Sequence, residues 1–252
     1  MISTTQIQII ALLLCRIMSF IAIAPVFSQK AFPNLAKLIL GFSLIVATYP
    51  EITSFQKVDA LVFLLLAFKE ILVGLAMGYL SQLVFSAVTI AGQMIDFQVG
   101  FSIAQAYDST FQILSSQFGR MYYWLAVAIF FMMNLHQQLI KGVLESFKLI
   151  NLTGGVADGA TIQGVVRLFS QTIIMAIELA APLVVAMMVV NILLGIISRA
   201  IPQVNVLMLS LSLQAGLSFL LILLILPNLV DFFEQSLPYS ITDMMEFVKS
   251  LK

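Results

Sequence analysis

Cysteine and histidine each occur once, as Cys15 and His136. A single cysteine excludes an intramolecular disulfide and a multi-cysteine zinc site. A single histidine removes most imidazole-based metal and triad chemistry. Charge is scarce too: 12 Lys and Arg balance 12 Asp and Glu, so only 10% of the 252 residues are charged and the formal net charge is zero. Without a basic stripe, nucleic acid is not an expected partner. No GxGxxG, P-loop, HExxH or GxSxG pattern occurs, and no nucleophile sits beside a base. The chain therefore reads as no enzyme, with no cofactor and no metal site. Met1 to Gln8 lacks Lys and Arg, so the positive region of a cleavable signal is missing and the first apolar run is expected to stay in place.

What is present is apolar. Hydrophobic residues make up 61% of the chain, and the mean hydropathy is +1.08. A soluble domain is roughly 45–50% apolar and about 25% charged, and too few polar residues remain here to cover a soluble sphere. Six apolar segments, near 7–27, 38–56, 60–92, 121–140, 168–198 and 204–230, span or nearly span a core that takes roughly 20 helical residues. Backbone polar groups in lipid must pair within the segment, so these runs are expected to be helices, and the strict alternation of a membrane barrel is absent. The fold class is all-α, a polytopic helical membrane-associated protein.

Breaks are well marked. Pro25 and Pro33 flank Ser28-Gln29-Lys30, Asn151 to Gly159 is a Gly- and Asp-containing linker, and Ile201-Pro202-Gln203 splits the last two segments into a helical hairpin. Basic residues do not orient the chain. Lys57, Lys141, Lys148, Arg167, Lys249 and Lys252 fall on one side of six spans, and Lys30, Lys37, Arg120 and Arg199 on the other.

Four features bear on function. Glu70, Gly74 and Gly78 recur every four residues and share a helix face; Gly74 and Gly78 form a GxxxG pattern, which admits a close helix within the chain or from another subunit. Arg16, Lys69 and Glu178 lie inside apolar segments together with Glu70. A lone charge at membrane depth costs about 2.5–3.5 kcal/mol or more, so these residues read as structural ion pairs or as a relay. Thirteen Met include Met132-Met133 and Met187-Met188, fillers of a core or of a pliable seal. The stretch Gln98 to Gly119 is too apolar for disorder and too polar to span lipid. Its Tyr107, Asp108, Phe111, Gln112, Ser115, Ser116, Gln117 and Phe118 offer hydrogen bonds with only one charge, which suits the lining or blocking of a conduit, or a surface loop packed on its own scaffold.

These residues, in this order, resemble the FliR family of type III export gates and its injectisome T-subunit homologues. Arg16, Pro25 and Pro33 carry the resemblance first, then Glu70, Gly74, Gly78, Gly92, Asp96, Gly100 and Asp108, then His136, Pro182, Asn191 and Gly195, and last the string from Ser198 to Asn205. The chain departs from the family at Ser109, where Pro is usual, and over Leu209 to Gln214. The resemblance implies a FliP-like part over 1–152, with a central plug near 104–120. It also implies a FliQ-like hairpin over 160–252, whose tip near 199–205 holds Arg199, Pro202, Gln203 and Asn205. Gly92 and Gly100 join Glu70, Gly74 and Gly78 as expected packing positions. Implied partners are FliP and FliQ, FlhB-type and FlhA-type components, unfolded flagellar substrates and membrane lipid. The implied place is the inner membrane, at the flagellar basal body. Two other readings stand beside this one: an injectisome homologue, and a small secondary transporter using Lys69, Glu70 and Glu178.

Overall fold

The structure, a computed structural model, describes residues 3–29, 31–52, 55–101, 116–153, 159–200 and 206–251. All regular structure among them is helical. α1 (Thr4–Ile23) opens on a capping box: Ser3 Oγ accepts the Gln6 N–H at 3.3 Å, and Gln6 Oε1 accepts the Ser3 N–H at 2.9 Å. Two donors that the helix leaves orphaned are thereby satisfied. The helix stops at Ala24, which takes the extended conformation favoured before proline. α2 (Asn34–Thr48) ends in a 3-10 turn at Tyr49–Glu51. α3 (Ala60–Val99) is followed by α4 (Gln117–Met132), α5 (Leu135–Leu149), α6 (Gly159–Ala200), α7 (Val206–Ser236) and α8 (Tyr239–Ser250).

The six apolar segments do not become six spans. Among the described residues, four helices are long and apolar enough to cross a membrane, or five if α4 and α5 count as one broken span. The second segment supplies only the 15 residues of α2, too few for a core about 30 Å thick. The fourth breaks where Asn134 adopts a left-handed conformation, φ 56°, which asparagine tolerates better than most residues. In contrast, α3 and α6 run for 40 and 42 residues. At about 1.5 Å per residue each is about 60 Å long, twice the thickness of a hydrocarbon core.

The chain forms two compact units that do not follow chain order. The first holds Met1–Leu83, Asn134–Ser170 and Leu237–Lys252, and the second holds Val84–Met133 and Gln171–Ser236. The first is built on Leu12, Leu13, Ile17, Phe20, Met77, Leu139, Val143, Met244 and Val248, all buried. In it α3 crosses α1 closely, because a Cβ at Gly74 would collide with the Arg16 carbonyl and Ser19 Oγ, and one at Gly78 would lie 2.9 Å from the Phe20 carbonyl oxygen. The GxxxG pair thus serves packing inside the chain. The second unit is built on aromatic rings: Phe85 meets Phe130 edge-on at 5.5 Å, and Tyr122 meets Phe233 at 6.3 Å, arrangements favoured by the ring quadrupole.

Much of the surface is apolar. Leu64, Phe68, Val185, Ile192 and Leu224 are each more than half exposed. Monomeric soluble proteins rarely carry large contiguous patches of this kind, so lipid or other subunits must cover them.

Candidate functional site

Two constructions stand out, one in each unit. In the first, Arg16 of α1 and Glu70 of α3 are both fully buried. Arg16 Nε donates to Glu70 Oε2 at 2.5 Å and Nη2 to Oε1 at 3.0 Å, the bidentate fork that suits a guanidinium to a carboxylate. Nη1 donates to the Ser146 carbonyl at 3.1 Å and to Ser146 Oγ at 3.3 Å, and Nη2 donates to the Ile150 carbonyl at 3.3 Å. The five N–H donors of the side chain thus meet five acceptors, and the guanidinium lies 4.2 Å from the centre of the Phe147 ring. The half-buried Lys69 pairs with Glu70 Oε1 at 3.0 Å and donates to the Leu152 and Asn151 carbonyls.

The arrangement follows from helix ends. The Ser146 carbonyl already accepts the Ile150 N–H at 2.9 Å, while carbonyls at and just beyond the helix end have no intrahelical donor and carry the negative end of the helix dipole. Two cations held by one carboxylate satisfy them. The cluster therefore ties α1, α3 and the end of α5 together. It is a saturated structural pairing, and nothing in its geometry forms a chain of exchangeable protons.

The second construction is the corner between α3 and α4. Gly100, with φ 89°, follows the last residue of α3 in the left-handed conformation that turns the chain out of a helix. Gly100 is buried and turns the chain, and Gly92 packs against α4. A Cβ at Gly92 would collide with the backbone of Gly119. One turn on, the Phe118 N–H donates to Asp96 Oδ1 at 3.1 Å, and Ser116 Oγ caps α4 by accepting the Gly119 N–H at 2.7 Å. Asp96 is buried, and its Oδ2 has no hydrogen-bond partner. The Phe118 ring stacks on Phe101 at 5.7 Å and touches Phe219 of α7 at 5.5 Å. The two flanks of the polar stretch are thus tied side by side.

The remaining sequence-predicted residues divide. Tyr107, Asp108, Phe111, Gln112 and Ser115 lie outside the described residues, as do Pro202, Gln203 and Asn205. Ser116 is the cap, Gln117 is exposed and accepts from Arg120 at 2.8 Å, and Phe118 is buried in the corner rather than displayed. Arg199 is exposed in the last turn of α6, where a cation meets the helix dipole favourably. Glu178, read from sequence as a buried charge, is exposed on the face of α6 that also shows Ile174 and Val185. The reason is that every apolar run looks buried by composition, while only packing decides which face of a helix turns outward. Among the described residues, no group of three His, Cys, Asp or Glu could hold a metal ion.

The sequence reading missed one polar contact. Asn191 of α6 donates to the Gln98 carbonyl of α3 at 3.4 Å, and Gln214 of α7 donates to Asn191 Oδ1 at 2.5 Å. The signal was available: Asn191 and Gln214 lie nearly equally far from Pro202, so a hairpin folded there brings the two amides opposite each other.

The close glycine contact gives a direct expectation. Gly92→Ala would raise helix propensity by about 1 kcal/mol on an open helix. Here the added carbon meets backbone, and overpacking of that kind costs about 1–3 kcal/mol. The expected outcome is a lower melting temperature of the detergent-solubilised chain. A higher melting temperature would mean that α3 and α4 do not approach closely at this point.

Comparison with known proteins agrees in kind. The family described as bacterial export proteins, family 1, matches residues 7–238. The chain is 32% identical over 216 residues to the flagellar biosynthetic protein FliR of Bacillus subtilis (strain 168), covering 84% of this chain and 83% of that protein. It is 27% identical over 222 residues to FliR of Escherichia coli (strain K12), covering 88% and 85%. It is 28% identical over 219 residues to the Yop proteins translocation protein T of Yersinia pestis, covering 84% of each.

Proposed function

Because the chain belongs to the bacterial export proteins, family 1, we propose that it is a non-enzymatic subunit of the flagellar type III protein export gate. It forms a channel for unfolded flagellar proteins with FliP and FliQ subunits, next to FlhB-type and FlhA-type components, in the inner membrane at the flagellar basal body. Residues 1–152 are FliP-like by descent and 160–252 FliQ-like, with the hairpin tip near 199–205. The stretch between α3 and α4 contributes the plug of the closed channel.

The observation that carries this reading is the corner. An otherwise apolar helical scaffold ties the two flanks of its one neutral polar stretch together through Asp96, Phe101 and Phe118. That gives a small polar segment a rigid base, which a plug needs and a spanning helix does not. The likeness to the Yop translocation protein T favours a second reading, the same part in an injectisome; whether the neighbouring genes are flagellar or virulence genes separates the two. A solute transporter would need Glu70 free to exchange partners, and the saturation of Glu70 by Arg16 and Lys69 speaks against it.

Co-expression with FliP and FliQ tests the proposal, with co-purification as the expected result. A lone, monodisperse chain would sink it. Glu178 sharpens the test. An exposed carboxylate on an apolar face is costly in lipid, so a partner helix should present a cation or donor at that depth. Glu178→Lys is expected to cost about 2–5 kcal/mol of assembly, read as lost co-purification of a still-folded chain. Glu178→Gln, which keeps an acceptor, should retain partner binding.

A further inference from the structure

Asn191 stands between three helices. Its amide nitrogen donates to the Gln98 carbonyl at 3.4 Å, and its own carbonyl accepts from Gln214 at 2.5 Å. Gln98 lies in the last turn of α3, where carbonyls lack an intrahelical donor. The apolar surroundings leave few alternatives for either amide, so the bridge is the cheapest way to satisfy all three groups. The hairpin formed by α6 and α7 therefore holds the α3 side of the corner through Asn191. It holds the α4 side through Phe219, whose ring lies 5.5 Å from that of Phe118.

An open groove of about 430 Å³ lies beside Gln98, lined by the exposed Ile90, Gln93, Met94 and Phe97 of α3 and by Val184 of α6. The groove opens to the surface between α3 and α6, and the Asn191 bridge is a polar contact that joins the two helices there. The corner, in contrast, is tight, with Gly92 against Gly119 and Phe118 between two rings.

We propose that Asn191 is a positioning residue that couples the α6–α7 hairpin to the α3–α4 corner, so that separating α6 from α7 at Gln214 loosens the Asp96–Phe118 clasp. Coupling of this kind needs a contact that both sites bias, and the shared amide is that contact. The inference deepens the export-gate reading and rests on it only for the meaning of the corner, not for the coupling itself.

The experiment uses the full chain in its co-purified complex. Hydrogen exchange is followed in the peptide from Gln117 to Tyr122, which contains the Phe118 N–H, and protein export is followed in cells. Asn191→Leu keeps an apolar side chain of similar size and removes both hydrogen bonds. It is expected to speed exchange in that peptide by roughly tenfold and to lower export. Gln214→Leu should do the same, and the two together should do no more than either alone, because they break one bridge. The exchanged pair, Asn191→Gln with Gln214→Asn, keeps the summed reach of the two amides and should restore slow exchange. A purely local structural role would not be rescued by the exchange of lengths. Unchanged exchange at 117–122 in Asn191→Leu, or failure of the exchanged pair to restore it, overturns the coupling. Faster exchange with unimpaired export supports the coupling and overturns the assignment of the corner to the export path.

Discussion

Arg16→Met is expected to be the most damaging single substitution in the chain. It leaves Glu70 buried with Lys69 as its remaining cation, it strips the Ile150 carbonyl of its Arg16 donor, and it leaves the Ser146 carbonyl with the Ile150 N–H. Breaking one side of a buried pair costs about 3–5 kcal/mol, and here the half-buried Lys69 is the one cation left against the Glu70 charge. Stability of a domain totals only about 5–15 kcal/mol, so the expected readout is a sharp drop in folded yield and in melting temperature in detergent. Arg16→Met combined with Glu70→Leu removes both charges, and apolar replacement of a whole pair is often nearly neutral. The double variant should recover part of the loss. The Ile150 carbonyl, without its Arg16 donor, holds back the rest, at about 1–3 kcal/mol for a buried group left unsatisfied. Wild-type stability in Arg16→Met would refute the structural role. Glu70→Gln separates that role from a relay. It keeps shape and an acceptor, so export should survive with a partial loss of stability; an export defect at unchanged stability would point to proton traffic.

Replacing residues 107–115 with a Gly-Ser linker should have the largest effect on function. The replacement leaves Asp96, Phe101, Ser116 and Phe118 in place, so the corner and its cap persist. Assembly with partners should be normal. The closed gate should then conduct small ions in planar bilayers where the intact complex does not, because an aromatic-bearing polar segment has been exchanged for one without bulk. An assembled, non-conducting complex would show that the closed state is sealed elsewhere.

The all-helical, membrane-associated class was legible because it depends on composition. A chain with 61% hydrophobic and 10% charged residues has only helices available for its apolar runs. Spacing singled out Gly74 and Gly78, and the cost of burying a charge singled out Arg16 and Glu70. Partner identity was not. Arg16 and Glu70 lie 54 positions apart, and Ser146 and Ile150 lie 130 and 134 from Arg16, and no local rule joins residues across such separations. The number of spans is not fixed by hydropathy, which counts apolar residues without seeing where a helix bends. Asn134 ends one run, while α3 and α6 run for 40 and 42 residues between the marked breaks.

Sequence alone therefore determined the solvent of this protein, the helical state of its runs, its family likeness and the residues that could not stand alone. Tertiary structure decided the rest: that Glu178 faces outward while Arg16 and Glu70 face each other, that Gly100 turns the chain while Gly92 packs, and that Asn191 joins three helices. The physical reason is that propensity and hydropathy are properties of single residues and their near neighbours. Burial, pairing and helix crossing are properties of surfaces that meet only once the chain has folded.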